Sequence, residues 1–75
     1  MKDYFGNEIV KNCYIIYLDV YKNNIYPAPG KVIDVDYDNK ILICQIQSRD
    51  RQSKISNLNK VLVISKEKYL ELITR

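Results

Sequence analysis

Gly30-Lys31-Val32-Ile33-Asp34-Val35-Asp36-Tyr37-Asp38-Asn39-Lys40-Ile41-Leu42-Ile43-Cys44-Gln45-Ile46-Gln47 decides the fold class. Its two arms, Lys31 to Tyr37 and Lys40 to Gln47, are dense in the branched residues that fit a pleated surface. Between them stands Asp38-Asn39, whose side chains readily bond their own backbone in turns. The stretch is therefore a β-hairpin. Alternation at period two sends Ile33, Val35 and Tyr37 to the core and leaves Asp34, Asp36 and Asp38 on the solvent face. The three aspartates, followed by Asn39, Ile41 and Gln45, also imitate a calcium loop. The imitation fails where Asn39 replaces the turn glycine, where Gln45 replaces the bidentate glutamate, and where strands replace the flanking helices. No metal site is expected.

Upstream, Tyr4 to Val10 reads as a short extended piece with a tight turn at Gly6-Asn7, since both residues tolerate positive φ. Lys11-Asn12 marks a second turn. Cys13 to Tyr21 then forms a strand rich in aromatic and branched residues. It is apolar on both faces, so it is expected to be central or to face a partner. Lys22 to Gly30 reads as a loop, because Pro27 and Pro29 each remove a ladder donor.

Downstream, Ser48 to Asn57 is polar and expected to be mobile, and a last strand lies at Val61-Leu62-Val63-Ile64. Ser65 suits a helix N-cap, with Glu67 in the first turn where the helix dipole favours an acid. Tyr69, Leu70, Leu72 and Ile73 share one face of a helix over about 66–74. So short a helix needs a surface to dock on, and closing one end of a barrel would provide it. Strands this short and this closely spaced, all within residues 3–64, predict one mostly β domain spanning 1–75. The expected architecture is a small SH3-like, partly open barrel of four to five antiparallel strands with a short C-terminal helix.

Composition narrows the function. Apolar residues at 47% and charged residues at 28% describe an ordinary globular chain. There is no apolar leader and no run long enough to span a membrane, which predicts a cytoplasmic location without membrane association. Cys13 and Cys44 sit in apolar strand-like runs and read as two buried, reduced thiols; a bridge would require close neighbouring strands. The chain has no histidine, only two glycines and no phosphate loop, so neither catalysis nor a cofactor is expected.

The net charge is +3, and its excess is local: Arg49, Arg51, Lys54 and Lys60 face one acid, Asp50, within residues 48–60. Those four basic residues are candidates for nucleic-acid phosphates, with tyrosines as stacking surfaces. Tyr21, Ile25, Tyr26, Pro27 and Pro29 form an aromatic and proline-rich segment suited to a protein interface. Self-association is compatible with either reading for a chain this short.

The run Asp3-Tyr4-Phe5-Gly6-Asn7-Glu8-Ile9-Val10-Lys11-Asn12-Cys13-Tyr14-Ile15-Ile16-Tyr17, with Gly30-Lys31-Val32-Ile33 and Asn59-Lys60-Val61-Leu62-Val63-Ile64 after it, resembles small SH3-like or KOW-like accessory proteins of T-even-like tailed phages. Those open with an aromatic-Gly-Asn turn and a Gly-Asp turn, then a Val/Ile-rich strand ending in Tyr and a Gly-Lys-Val strand. Here Asn12-Cys13 stands in place of Gly-Asp. The resemblance implies a non-enzymatic accessory module that binds a host protein and inhibits or redirects it in the host cytoplasm. The alternative it implies is a nucleic-acid-binding regulator using residues 49–60.

Overall fold

The computed structural model describes residues 1–47 and 49–74. Five antiparallel strands, β1 (Tyr14–Tyr21), β2 (Asn24–Asp36), β3 (Ile41–Ile46), β4 (Ser53–Ile55) and β5 (Val61–Ile64), form one sheet in the order β4-β3-β2-β1-β5. A 3₁₀ turn at Leu58–Lys60 leads into β5, and a helix, α1 (Lys66–Ile73), follows it. This is the small, partly open, SH3-like barrel with a short C-terminal helix, and β4 and β5 are its edges. β1 lies between β2 and β5, as its two apolar faces predict.

Alternation sorts the strands into an inner and an outer face. Ile15, Val32, Leu42, Cys44, Ile46 and Val61 point inward and are fully buried, and Ile9 from the N-terminal segment and Ile55 of β4 complete the core. Burying each such side chain contributes about 1.5–3 kcal/mol.

The second hairpin departs from strict alternation. A bulge between Val32 and Asp34 inserts Ile33 as an extra residue, so Val32 and Val35 both reach the core side. The strand ends at Asp36, so Tyr37 belongs to the turn and stands exposed instead of facing the core. Asp36 ties that turn: its carboxylate accepts from the backbone N–H and the side-chain amide of Asn39 at 3.1 and 2.9 Å. The Asn39 bonds hold the Asp36 carboxyl below its ordinary value. Asp34 accepts from the Val35 N–H. Asp34 and Asp36 are thus engaged within their own hairpin, and among the described residues no three His, Cys, Asp or Glu side chains gather around one point.

Three other segments correct the sequence reading. Residues 22–30 are not a loop: Lys22 and Asn23, at φ 50° and 66°, make a two-residue turn with the positive φ pair of a type I′ hairpin, and β2 starts at Asn24. The prolines are tolerated because of where their backbone points. Pro29 C=O accepts from Gln47 N–H, so its polar atoms face the β3 side, and Pro27, two residues back, faces the same way. Neither proline removes a bond between β1 and β2. The polar stretch after β3 carries β4, anchored by buried Ile55 and paired to Leu42, Ile43 and Cys44. The first turn spans Asp3 to Gly6, with Tyr4 and Phe5 at its corner and Gly6 at φ 85°, two residues earlier than Gly6-Asn7.

The helix is capped as expected, Ser65 Oγ accepting from Lys68 N–H at 3.1 Å. It closes no barrel end. Tyr69 stacks on Tyr14 at 4.5 Å, and Tyr14 belongs to the outer face of β1, so the helix lies against the outside of the sheet. Leu70, expected on the docking face, is exposed.

Both cysteines are free. Val32 lies between them, donating to Cys13 C=O on one side and pairing with Cys44 on the other. Two strand spacings separate their backbones by about 10 Å, beyond the ~7 Å reach of a disulfide. Burial pushes the Cys44 thiol up to about 11, and burial raises that of half-buried Cys13 as well. A thiol reagent at pH 8 is therefore expected to react with Cys13 first and with Cys44 only after unfolding. Fast reaction of both in the native protein would contradict this packing.

Candidate functional site

Beyond the paired positions Leu18 and Pro27, the β1–β2 hairpin runs on as a two-stranded ribbon past the ends of β3 and β5. Its tip carries the largest exposed apolar surface on the strands: Val20 is 50%, Tyr21 62%, Ile25 64% and Tyr26 50% exposed. The tight Lys22-Asn23 turn fixes the register, Tyr21 opposite Asn24, Val20 opposite Ile25, Asp19 opposite Tyr26 and Leu18 opposite Pro27.

That register divides the predicted interface residues. Tyr21 and Tyr26 fall on the face that leads inward to Ala28 and Gly30, as diagonal neighbours. Ile25, Pro27 and Pro29 fall on the outer face with Val20, Leu18 and Ile16. The five residues therefore serve two surfaces.

The tyrosine face is braced from below. Asp19 accepts from Arg49 Nη2 at 2.7 Å, and Arg49 Nη1 donates to Ser53 Oγ at 2.9 Å. The Arg49 guanidinium also lies 5.6 Å from the Tyr17 ring centroid, and the Arg49 backbone C=O accepts from Gln45 Nε2. An ion pair this exposed contributes only ~0.2–1 kcal/mol, yet it joins β1 to the connection before β4. Lys22 Nζ lies 5.4 Å over the Tyr21 ring, a cation–π contact at the tip.

The predicted nucleic-acid residues are dispersed. Arg49 is occupied by Asp19 and Ser53. Arg51 is exposed in the connection and Lys54 is exposed on β4, opposite Ile43. Lys60, half-buried, closes the 3₁₀ turn before β5, the other edge of the sheet.

On the outer face a hollow of about 300 Å³ opens between the first turn and the sheet, lined by Tyr4, Phe5, Leu18, Asn59 and Leu62. None of these residues stood out in the sequence. Their organiser is Asp3, whose buried carboxylate accepts from the N–H of Phe5 (2.9 Å) and Asn7 (2.8 Å), the Asn7 amide (3.2 Å) and the N–H of Val63 (2.8 Å). The Val63 N–H is one that edge strand β5 would otherwise leave unpaired. Asp at the first position and Gly at the fourth, in Asp3-Tyr4-Phe5-Gly6, was the available signal for a turn here.

No helix among the described residues is long and apolar enough to cross a membrane. No family model, curated protein or solved structure matches this chain.

Proposed function

We propose that this chain is a binding module with no chemistry of its own, a phage accessory protein that docks a host protein in the cytoplasm and inhibits or redirects it. One observation carries the reading: Tyr21 and Tyr26 stand exposed as diagonal neighbours on a hairpin ribbon whose register is set by a two-residue turn and which the Arg49–Asp19 pair ties to the rest of the fold. Tyrosines held this way offer large contact area at little entropic cost, which is how interface anchors work. Support also comes from what the chain lacks, a histidine base, and from two thiols whose burial opposes ionisation.

Capture from a bacterial lysate tests it. The wild type is expected to retain one protein at a fixed stoichiometry, and the Y21A/Y26A double variant to retain it at least ~30-fold more weakly, the loss expected for interface anchors. The R51E/K54E variant is expected to retain it fully. Retention that ignores the tyrosines overturns the assignment. Retention of nucleic acid alone, salt-sensitive and abolished by R51E/K54E, replaces it with the KOW-like regulator reading.

A further inference from the structure

At the tip of the ribbon the outer face is left open by the described residues: Val20 and Ile25 are 50% and 64% exposed. Helix α1 meets this face at the Tyr14 end of β1, where Tyr69 packs on Tyr14, while Leu18 and Val20 lie four and six residues further along the strand. The corner aromatics Tyr4 and Phe5 stand 69% and 72% exposed, in an edge-to-face pair at 5.4 Å. They are fixed there by the Asp3 carboxylate, so ordinary loop mobility does not account for their exposure.

Three properties of this face indicate its occupant. It carries a knob, the Val20–Ile25 pair at the ribbon tip, and a hollow, between Leu18, Leu62 and the two corner aromatics. Leu18 lines the hollow and Val20 is the next outward residue on the same strand, so knob and hollow are neighbours. A two-fold axis passing between them places each knob over the other copy's hollow. Second, the outward residues of the ribbon, Ile16, Leu18, Val20, Ile25, Pro27 and Pro29, include no charge. Two copies meet there without like-charge repulsion, and the face offers no charge pattern that would select a different protein. Third, the exposed parts of Tyr4, Phe5, Val20 and Ile25 supply about 500 Å² per copy, taking 150–250 Å² for each fully covered aromatic. A pair then buries about 1,000 Å², the least expected of a specific interface and below the roughly 1,200–2,000 Å² of stable ones, which suits a weak, concentration-dependent dimer.

We propose that the outer face is the seat of a second copy of this chain, in a closed two-fold dimer with each ribbon tip in the other's hollow. The dimer uses the face opposite Tyr21 and Tyr26, so it presents that tyrosine surface twice and adds bivalency to the proposed binding.

The test measures mass by light scattering and sedimentation on the full chain between about 1 µM and about 1 mM, the range in which a pair of this size dissociates. The wild type is expected to pass from monomer to dimer and stop. Ile25→Lys, at the knob, and Phe5→Glu, at the hollow, change exposed residues; unchanged circular dichroism confirms each fold. Each alone is expected to weaken self-association at least 100-fold, because the fault occurs twice in the dimer. An equimolar mixture of the two is expected to recover dimer mass, since one knob and one hollow remain intact and the other contact becomes a Lys–Glu pair. A wild type that stays monomeric, variants that still dimerise, a mixture that does not recover, or a mass that climbs past two copies each overturns the proposal. Lysate capture by the two variants separates this result from the tyrosine reading, whose residues they leave in place.

Discussion

Asp3→Ala is expected to destabilise the fold by about 2–4 kcal/mol, seen as a lower denaturant midpoint at an unchanged slope. The carboxylate is 6% exposed and accepts four hydrogen bonds, and truncation strips the Val63 N–H and the turn N–H groups of their acceptor. Asp3→Asn keeps one carbonyl acceptor and turns an NH₂ toward the remaining donors, so it is expected to cost nearly as much. The pH dependence has a definite sign. Burial alone would raise the Asp3 carboxyl, but the bonds from Val63, Asn7 and Phe5 outweigh it and hold the group below its ordinary 3.8. The folded state therefore binds this proton less readily than the unfolded state. The stabilisation is complete above the ordinary carboxyl range and disappears as pH falls below 3.8 through the lower folded value. The gap in unfolding free energy between wild type and Asp3→Ala is accordingly expected to be full at pH 7 and to narrow steadily below about pH 4. A gap independent of pH would show that the carboxylate is not the clamp.

Asp3 also marks where sequence reasoning stopped. The hairpin of β2 and β3, the final strand and the capped helix were legible because their signals are local: branched runs, turn residues, and Ser65 before an apolar helical face. Asp3 binds Val63, sixty residues away, and no local pattern announces that partner. Its nearer half, the Asp3-to-Gly6 turn, was visible but was overshadowed by Gly6-Asn7. The bulge at Ile33 was hidden for another reason. Inserting one residue lets Val32 and Val35, three apart, share the core side, so an alternation that looks regular in sequence gave the core to Ile33 and passed over Val32; Tyr37 is misplaced for a separate reason, because the turn begins there.

The candidate site was half legible. Tyr21, Ile25 and Tyr26 stood out as interface candidates, and the structure leaves all three exposed. Reading 22–30 as a loop merged them into one patch, since a loop has no faces. Prolines produced that error: a strand interior excludes them only where their missing donor faces a partner, and here both face away from β1. Once β2 begins at Asn24, period two separates the tyrosines from Ile25, Pro27 and Pro29. The pairing of Arg49 was hidden for a similar long-range reason, because its partner Asp19 lies thirty residues upstream.

Gly30→Ala is expected to destabilise by about 1–3 kcal/mol, although Gly→Ala inside a strand ordinarily stabilises through the unfolded chain. Space decides the sign. Gly30 sits opposite Ile46 on the inner face of the barrel, and an added Cβ would lie 2.8 Å from Ile46 Cδ1 and 2.9 Å from the Gln45 carbonyl oxygen. Ile46 is fully buried, so its methyl can yield only by disturbing neighbouring core side chains, and the Gln45 oxygen belongs to the backbone of β3. Removing the methyl separates the two contacts. Ile46→Val alone is expected to cost about 0.5–1.5 kcal/mol. In the double variant the shorter side chain makes room for the new Cβ while the carbonyl contact persists, so the combined cost should fall below the sum by at least ~0.5 kcal/mol without reaching zero. Strict additivity would mean that the chain backbone, and not the Ile46 side chain, absorbs the intrusion. β3 would then have to move away from β2 at Gly30, carrying Cys44 with it, and the Cys44 thiol would react faster in Gly30→Ala than in the wild type.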